Sequence, residues 1–537
     1  MDIKEYIKKK ISESINVNES EIIIETPKEK SHGDYSSNIA LKLAKTLKDS
    51  PINIANKIKD NIKLDDYIEK IEVVMPGFIN FFTSNKYLFE TLNKVNEEKE
   101  NYGRAKVKNN TKINVEFVSA NPTGLLHVGT SRGAAYGDNL CRILDFAGYD
   151  VTREYYFNDG GVQIENLGKS LKARYEQVCG LESEIPEGGY HGHEIKEIAE
   201  RIYNEHDDAK LNESLEYFKK EGTETLIKII KQDLSDFRVT FDVWTSEQDI
   251  RKSGNIEKCL KILRENDSIY DHEGATWLRT TKYGDDKDRV VIKTDGNYTY
   301  LVPDIAYHLD KINRGYDEIV DVLGADHHGY ISRLKASVEA LGYDKDKIHV
   351  KLLQMVRLLR AGEEIKMSKR TGLTVTMREL MEDVGIDASR YFFAMRTLDT
   401  QMDFDMDLAV KQSNENPVYY IQYAHARICS ILRDAEEKNI SFTNKFETIN
   451  SEAAYDILKK IYEFPKVVKD SADKKLPHLI ANYVYDLAGL FHTYYAKEKI
   501  LTNDEMYSSE RLTLINAVKI TISNALNLIG VSSPTRM

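Results

Sequence analysis

From Lys112 onward, apolar strand-like runs alternate with helical segments, and that alternation restricts the possible folds more than anything else in the sequence. Strands joined by helical crossovers form a parallel sheet. The predicted strands are INVEFV (113–118), DVTREYYF (150–157), EIVDVLG (318–324) and HVKLLQMV (349–356). Between Asn158 and Tyr300 there is more chain than one crossover needs, so part of it is expected to be an insertion.

The flanks read differently. Residues 1–105 open on a helical pattern, IKEYIKKKI, and repeat it where Ile39, Leu43, Ala44 and Leu47 recur at helical spacing. IEVV and GFINFF then surround Met75-Pro76 as two strands, and KVNEEKENYGRAKVKNN (94–110) is polar enough to be a linker. After about residue 410 strand signals stop. Leu514, Ile515, Val518, Ile522, Ala525, Leu526 and Ile529 form one helical apolar stripe.

A chain of 537 residues exceeds one core, and 41% hydrophobic with 30% charged residues excludes fibrous and disordered classes. No run approaches the ~20 uncharged apolar residues of a membrane span, and the start shows no signal-peptide pattern, so a cytoplasmic protein without membrane contact is expected. Cys141, Cys179, Cys259 and Cys429 are too far apart for a metal or redox pair and are expected to be reduced. The net charge of −12 is concentrated in the centre, since residues 1–105 carry 17 basic and 18 acidic side chains and residues 413–537 carry 15 of each. A polyanion would therefore have to meet local patches near the two ends.

Two segments carry chemistry. VEFVSANPTGLLHVGTSRGAAYGDNL is strand, turn and helix, with His127, Val128, Gly129 and Thr130 opening the helix. A helix mouth offers unpaired N–H groups and the positive dipole end to a phosphate; His127 can donate to a phosphate oxygen, and Gly129 leaves room for a ligand. Gly133 and Gly137 strip bulk from one face, letting the helix approach its strand. RAGEEIKMSKRTGLTV places Lys366, Lys369 and Arg370 within five positions. Two lysines closing on a triphosphate stabilise the charge that builds on the α-phosphorus and the departing pyrophosphate. Alone, either segment also fits packing glycines or a solvated cationic loop. The fold class expected is α/β: a Rossmann-like parallel-sheet catalytic domain with an insertion (106–410), a small α+β N-terminal domain (1–105) and an all-helical C-terminal domain (411–537).

Taken together, the two segments resemble the nucleotide-binding motifs of class I aminoacyl-tRNA synthetases. SANPTGLLHVGT, DIAYHLDK, GADHHGY and GIDASRYFF are similar to the words of the arginyl-tRNA synthetases, and so are HGDYSSNIALKLAK, NPVYYIQYAHARICSIL and GVSSPTRM toward the ends. KMSK at 366–369 matches without change, while Thr130 stands where the family commonly carries a second histidine. The resemblance implies ATP binding by His127, Gly129, Thr130, Lys366, Met367, Ser368 and Lys369, with His127, Lys366 and Lys369 catalytic. It puts Ser119 and Asn121 at the α-amino end of L-arginine, and Glu116, Tyr300 and Asp304 around the side chain, with Asp326 as a further candidate.

An always-charged planar guanidinium needs such carboxylates. Without the resemblance, acidic residues near strand ends read equally well as structural caps. The resemblance further implies cognate tRNA as partner, bound by the N-terminal domain at its outer corner and by the C-terminal helices at the anticodon, with Tyr419, Tyr423 and Met537 on that side. Ten of the 32 tyrosines lie in this last segment, and base stacking contributes roughly 1 to 3 kcal/mol each, although core packing is the commoner use of such residues. Mg²⁺ is expected only with ATP, because Asp326-His327-His328 and His191-x-His193 lack further ligands at metal spacing. A monomer is expected. An inactive RNA-binding protein and a small-molecule nucleotidylyltransferase are the rival classes; intact His127, Gly129, Lys366 and Lys369 weigh against the first, and the helical C-terminal domain against the second.

Overall fold

Ile113 and Val115 alternate with Asn114 and Glu116, yet all four are buried. A strand covered on both faces belongs inside a parallel sheet. This strand, β1 (Lys112–Glu116), is the middle of five; the others in chain order are β2 (Asp150–Phe157), β3 (Val243–Ser246), β4 (Glu318–Gly324) and β5 (Ile348–Leu353). Their order in space is β5, β4, β1, β2, β3, and every neighbouring pair is parallel. The chain leaves β1 for β2 through helix α1 (Val128–Phe146) and later returns on the opposite side of β1 to form β4. The strand order therefore reverses between β1 and β4, and ligands of such sheets bind beyond the carboxyl ends at that reversal. α1 lies directly on β1's continuation: a Cβ at Gly137 would meet the Phe117 ring at 2.1 Å.

This computed structural model describes residues 2–365 and 374–537. The chain divides into two compact units. One comprises residues 103–427, 465–489 and 522–537 and contains the parallel sheet. The expected insertion is present there. Helices Gly161–Val178, His193–His206 and Leu215–Asp236 bury Leu167, Leu171, Phe218 and Leu226 before β3 rejoins the sheet. Helix Asn255–Glu265, an antiparallel three-stranded sheet (Ile269–His272, Ala275–Leu278, Arg289–Ile292) and helix α2 (Leu301–Asn313) then enclose a second cluster around Cys259, Leu278 and Ile305. Beyond the sheet follow α3 (Met377–Val384) and α4 (Ile386–Ala394).

Residues 1–102, 428–464 and 490–521 make the other unit. Its strands Ile24–Glu25, Tyr35–Ser37, Phe78–Thr83 and Ile68–Val74 pair antiparallel in that order, and Ile3, Ile7 and Ile11 of the first helix are fully buried. After residue 410 the chain is helical, over Pro417–Glu437, Glu452–Lys474, His478–Lys497 and Glu505–Leu528, and every residue of the expected apolar stripe from Leu514 to Ile529 is buried. No helix among the described residues is long and apolar enough to cross a membrane.

Two expectations need correction. HVKLLQMV is not one strand: β5 ends at Leu353, and Val356–Arg360 joins Glu363–Ile365 and Met402–Asp405 in a separate sheet. The break is held from outside, because buried Arg132 of α1 donates to the Gln354 and Thr400 carbonyls at 2.9 Å each and to Thr397 at 2.7 Å. Nor is 94–110 all linker. Leu88, Leu92 and Val95 give the preceding residues a buried stripe, so a helix runs over Lys86–Glu98, and Tyr102 is buried with its hydroxyl on the Ile461 carbonyl at 2.8 Å.

Candidate active site

Past Glu116 the backbone turns sharply, with Val118 at φ 70° and Ser119 at φ 41°. A β-branched residue in the left-handed region is strained, and such strain persists only where the surroundings impose it. The imposing contacts are visible: Ser119 Oγ donates to Glu116 Oε1 at 2.9 Å and accepts the Tyr156 N–H at 3.2 Å. Asn121 follows, its Oδ1 accepting from Asn158 N at 3.1 Å and its Nδ2 donating to Gln163 at 2.7 Å. This turn delivers the chain to the mouth of α1.

His127 caps α1. Its Nδ1 accepts the Gly129 N–H at 3.1 Å, so in the neutral ring the proton sits on Nε2 and that N–H remains as a donor. Partial desolvation at the helix mouth lowers its basicity, which favours this neutral form. A Cβ at Gly129 would stand 3.0 Å from the ring, which explains the glycine. Thr130 closes the cap from the other side: its hydroxyl accepts from His127 N at 2.9 Å and donates to His127 O at 2.5 Å. The same mouth holds a distant piece of chain. Val128 N donates to Val375 O at 3.2 Å, Met377 N to Leu126 O at 2.8 Å, and His127 and Thr376 form an antiparallel bridge.

Beneath the turn lies a row of carboxylates. The sheet register sets Asp321, Glu116 and Glu154 side by side on β4, β1 and β2, all three buried. Adjacent like charges destabilise a sheet unless paired. The pairing comes from α2, whose Asp304, His308 and Lys311 recur on one helical face, and from Arg314 at its end. Lys311 Nζ lies 2.5 Å from Glu116 Oε2 and 2.9 Å from Asp321 Oδ1. Arg314 Nη2 reaches both Glu154 oxygens at 2.9 Å. His308 puts Nδ1 2.8 Å from the Asp304 carbonyl and Nε2 3.0 Å from Asp321, two acceptor-only partners that require a doubly protonated ring. Burial opposes the charges on His308 and Lys311, but the carboxylates prevail and hold both groups above their ordinary values. Three cations thus match three carboxylates. Asp304 is left over: Tyr330 donates a hydroxyl hydrogen bond to its carboxylate, His308 reaches only its backbone carbonyl, and burial pushes its carboxyl up to about 6.

Comparison with known proteins follows that geometry. Three family profiles match along the chain: an arginyl tRNA synthetase N-terminal domain at 1–83, a class I (R) tRNA synthetase catalytic domain at 91–429 and a DALR anticodon binding domain at 421–537. The arginine–tRNA ligase of Bacillus licheniformis is 52% identical over 100% of this chain and 98% of its own. The chain belongs to the class I arginyl-tRNA synthetase family. The arginine–tRNA ligase of Bacillus subtilis is 51% identical with the same coverage. Thermus thermophilus arginyl-tRNA synthetase, at 22% identity, shares the fold with a TM-score of 0.74 over 99% of each chain.

The other residues expected of an arginyl-tRNA synthetase are scattered more widely. Tyr300 precedes α2 and is 86% exposed, above Asp304 in the chain's path. Asp326 follows β4 but faces solvent, paired with His327 at 3.7 Å, apart from the buried row. Lys366, Met367, Ser368 and Lys369 lie outside the described residues. Tyr419 and Tyr423 stack on each other, half-buried, with ring centres 5.9 Å apart, and Met537 is 55% exposed. Sequence reasoning missed His308, Lys311, Arg314 and Tyr330. The Asp304, His308, Lys311 spacing within DIAYHLDK was the available signal, since it marks one polar face on an otherwise apolar helix.

Proposed function

We propose that this chain joins L-arginine to its cognate tRNA in two steps driven by ATP. The observation that supports the reading best is the fastening of Val375, Thr376 and Met377, which follow KMSK closely in sequence, to Leu126, His127 and Val128 at the phosphate-type helix mouth. In the first step the arginine carboxylate attacks the α-phosphorus in line, and pyrophosphate leaves. A carboxylate is already nucleophilic, so positioning and charge stabilisation carry the rate. His127 Nε2–H donates to a phosphate oxygen, and Lys366 and Lys369 neutralise the charge that accumulates. Asp304, the carboxylate without a cation, takes the guanidinium, with Glu116 and Tyr300 beside it and Ser119 and Asn121 toward the α-amino group. Asp326 stands in second place because it points to solvent.

In the second step a terminal ribose hydroxyl of tRNA attacks the adenylate, AMP leaves, and the C-terminal helices hold the anticodon through Tyr419, Tyr423 and the chain end. Mg²⁺ arrives with the triphosphate and screens its charge; among the described residues there is no cluster of ligands for a resident ion. The enzyme works as a cytoplasmic monomer in this reading, and residues 1–105, 106–410 and 411–537 divide tRNA contact, catalysis and anticodon binding. Arginine-dependent pyrophosphate exchange with tRNA present tests the proposal. Replacement Lys369→Ala should lower the exchange rate about a hundredfold or more with ATP affinity nearly unchanged. Folded wild-type protein without exchange would make it an RNA-binding relative instead, and adenylylation without tRNA would point to a nucleotidylyltransferase.

A further inference from the structure

Lys311 is fully buried, its ammonium lying 4.4 Å from the centre of the Tyr307 ring. Lysine almost never occupies such a place unless a partner requires it. Two carboxylates do, but they are not equivalent. Asp321 already has His308 on its other oxygen, 3.0 Å away. Among the described residues Glu116 has no second cation; its other oxygen receives the Ser119 hydroxyl at 2.9 Å. A continuous chain of contacts thus runs from Lys311 Nζ through the Glu116 carboxylate to Ser119, in the turn whose left-handed φ values at Val118 and Ser119 need an external hold.

We infer that Lys311 is a positioning residue for amino-acid binding: by orienting Glu116 it fixes the Val118–Ser119 turn, and with it the groups that receive the α-amino end of the substrate. The inference rests on reading the site as an arginine pocket. A lysine present only to balance charge would be dispensable once the charge is balanced another way. The pair Lys311→Met with Asp321→Asn does this, removing one cation and one anion while keeping side-chain volume.

The test measures KM for arginine and for ATP in pyrophosphate exchange with tRNA, alongside thermal melts. In the Lys311→Met/Asp321→Asn protein the arginine KM is expected to rise about tenfold to a hundredfold, the cost of a misplaced binding group, while the ATP KM stays within about twofold. An arginine KM near the wild-type value, or parallel rises in both constants, overturns the inference. Should that pair fail to fold, Lys311→Arg carries the same test. It keeps the charge balance but cannot set a point charge on the same Glu116 oxygen, so the arginine KM should again rise with the ATP KM nearly unchanged, and an unchanged arginine KM there overturns the inference. Absence of exchange in the wild-type protein would instead remove the arginine reading on which it stands.

Discussion

Asp304 and Val118 are each held in a state that costs the folded chain something, one by charge and one by backbone conformation. With its carboxyl pushed up to about 6, Asp304 holds a proton at a pH where an unfolded aspartate near 4 has lost it. Its contribution to stability is therefore full below about pH 4 and is lost as the pH rises through 6. Binding runs the other way. Only the ionised form complements a guanidinium, so the arginine KM should fall roughly tenfold per pH unit up to about 6 and level off above. Burial is the main cause of the rise; of the groups that face the carboxyl, Tyr330 and His308 oppose it, and Glu116 and Glu247 add to it. Measurement from pH 5 to 8 checks this, and Asp304→Asn should flatten the acid limb while raising the KM throughout; a limb that survives in that variant assigns the titration elsewhere. Val118 pays in backbone strain. Val118→Gly relieves a left-handed conformation worth ~1–2 kcal/mol and so should cost at least ~2 kcal/mol less in urea unfolding than Val115→Gly, which empties a fully buried strand position. Equal losses would mean that the turn is unstrained.

Helices and strands were legible where one periodicity dominates. DVTREYYF and EIVDVLG coincide with β2 and β4 to the residue: EIVDVLG is a mostly apolar run, as buried parallel strands are, and DVTREYYF is rich in the β-branched and aromatic residues that favour strands. β3 was not foreseen: Val243–Ser246 is four residues at a sheet edge, too short for a pattern. HVKLLQMV was read as one run because nothing local says that the chain changes sheets at Gln354; the cause is Arg132, a residue type ordinarily expected at the surface. The site divides similarly. His127 announced itself through a local motif, whereas Lys311 and His308 are defined by carboxylates on two other elements, β1 and β4.

Arg390 extends this pattern to whole elements. Fully buried in α4, it donates to the carbonyls of Phe237 at 2.9 Å and Ile529 at 3.1 Å, and to Asp138 at 2.5 Å and Asn139 at 2.7 Å on α1, the helix that carries His127. A lysine offers one point charge in place of this fork. Arg390→Lys should cost ~3 kcal/mol in denaturant unfolding and slow adenylation through α1, because it leaves buried acceptors unpaired. A near-neutral result would show that Asp138, already bonded to Arg142 at 2.7 Å, needs no second cation.

The last residues are fastened to the helices beside them, and in the function proposed above they lie on the anticodon side. Ser532 N donates to Asp387 at 3.0 Å, its carbonyl accepts from Gln422 at 3.0 Å, and the Pro534 carbonyl lies 2.9 Å from His425 Nδ1. The tail is thus pinned to helix Pro417–Glu437, which also bears the Tyr419–Tyr423 stack, and Arg536 and Met537 beyond it are exposed. Residues 413–537 carry no net charge, so long-range attraction contributes little here and short-range contacts must supply the affinity for an anticodon. Ending the chain after Thr535 removes the exposed end and none of the pinning bonds. Melting should stay within about a degree, since no buried group is lost, while tRNA charging efficiency falls about tenfold, equivalent to one lost contact of ~1.4 kcal/mol. Ending it after Val531 removes the Asp387 and Gln422 bonds as well and should cost ~2 kcal/mol of stability. If the shorter cut leaves charging intact while melting is unchanged, the anticodon side of recognition belongs to the Tyr419–Tyr423 face and not to the terminal residues.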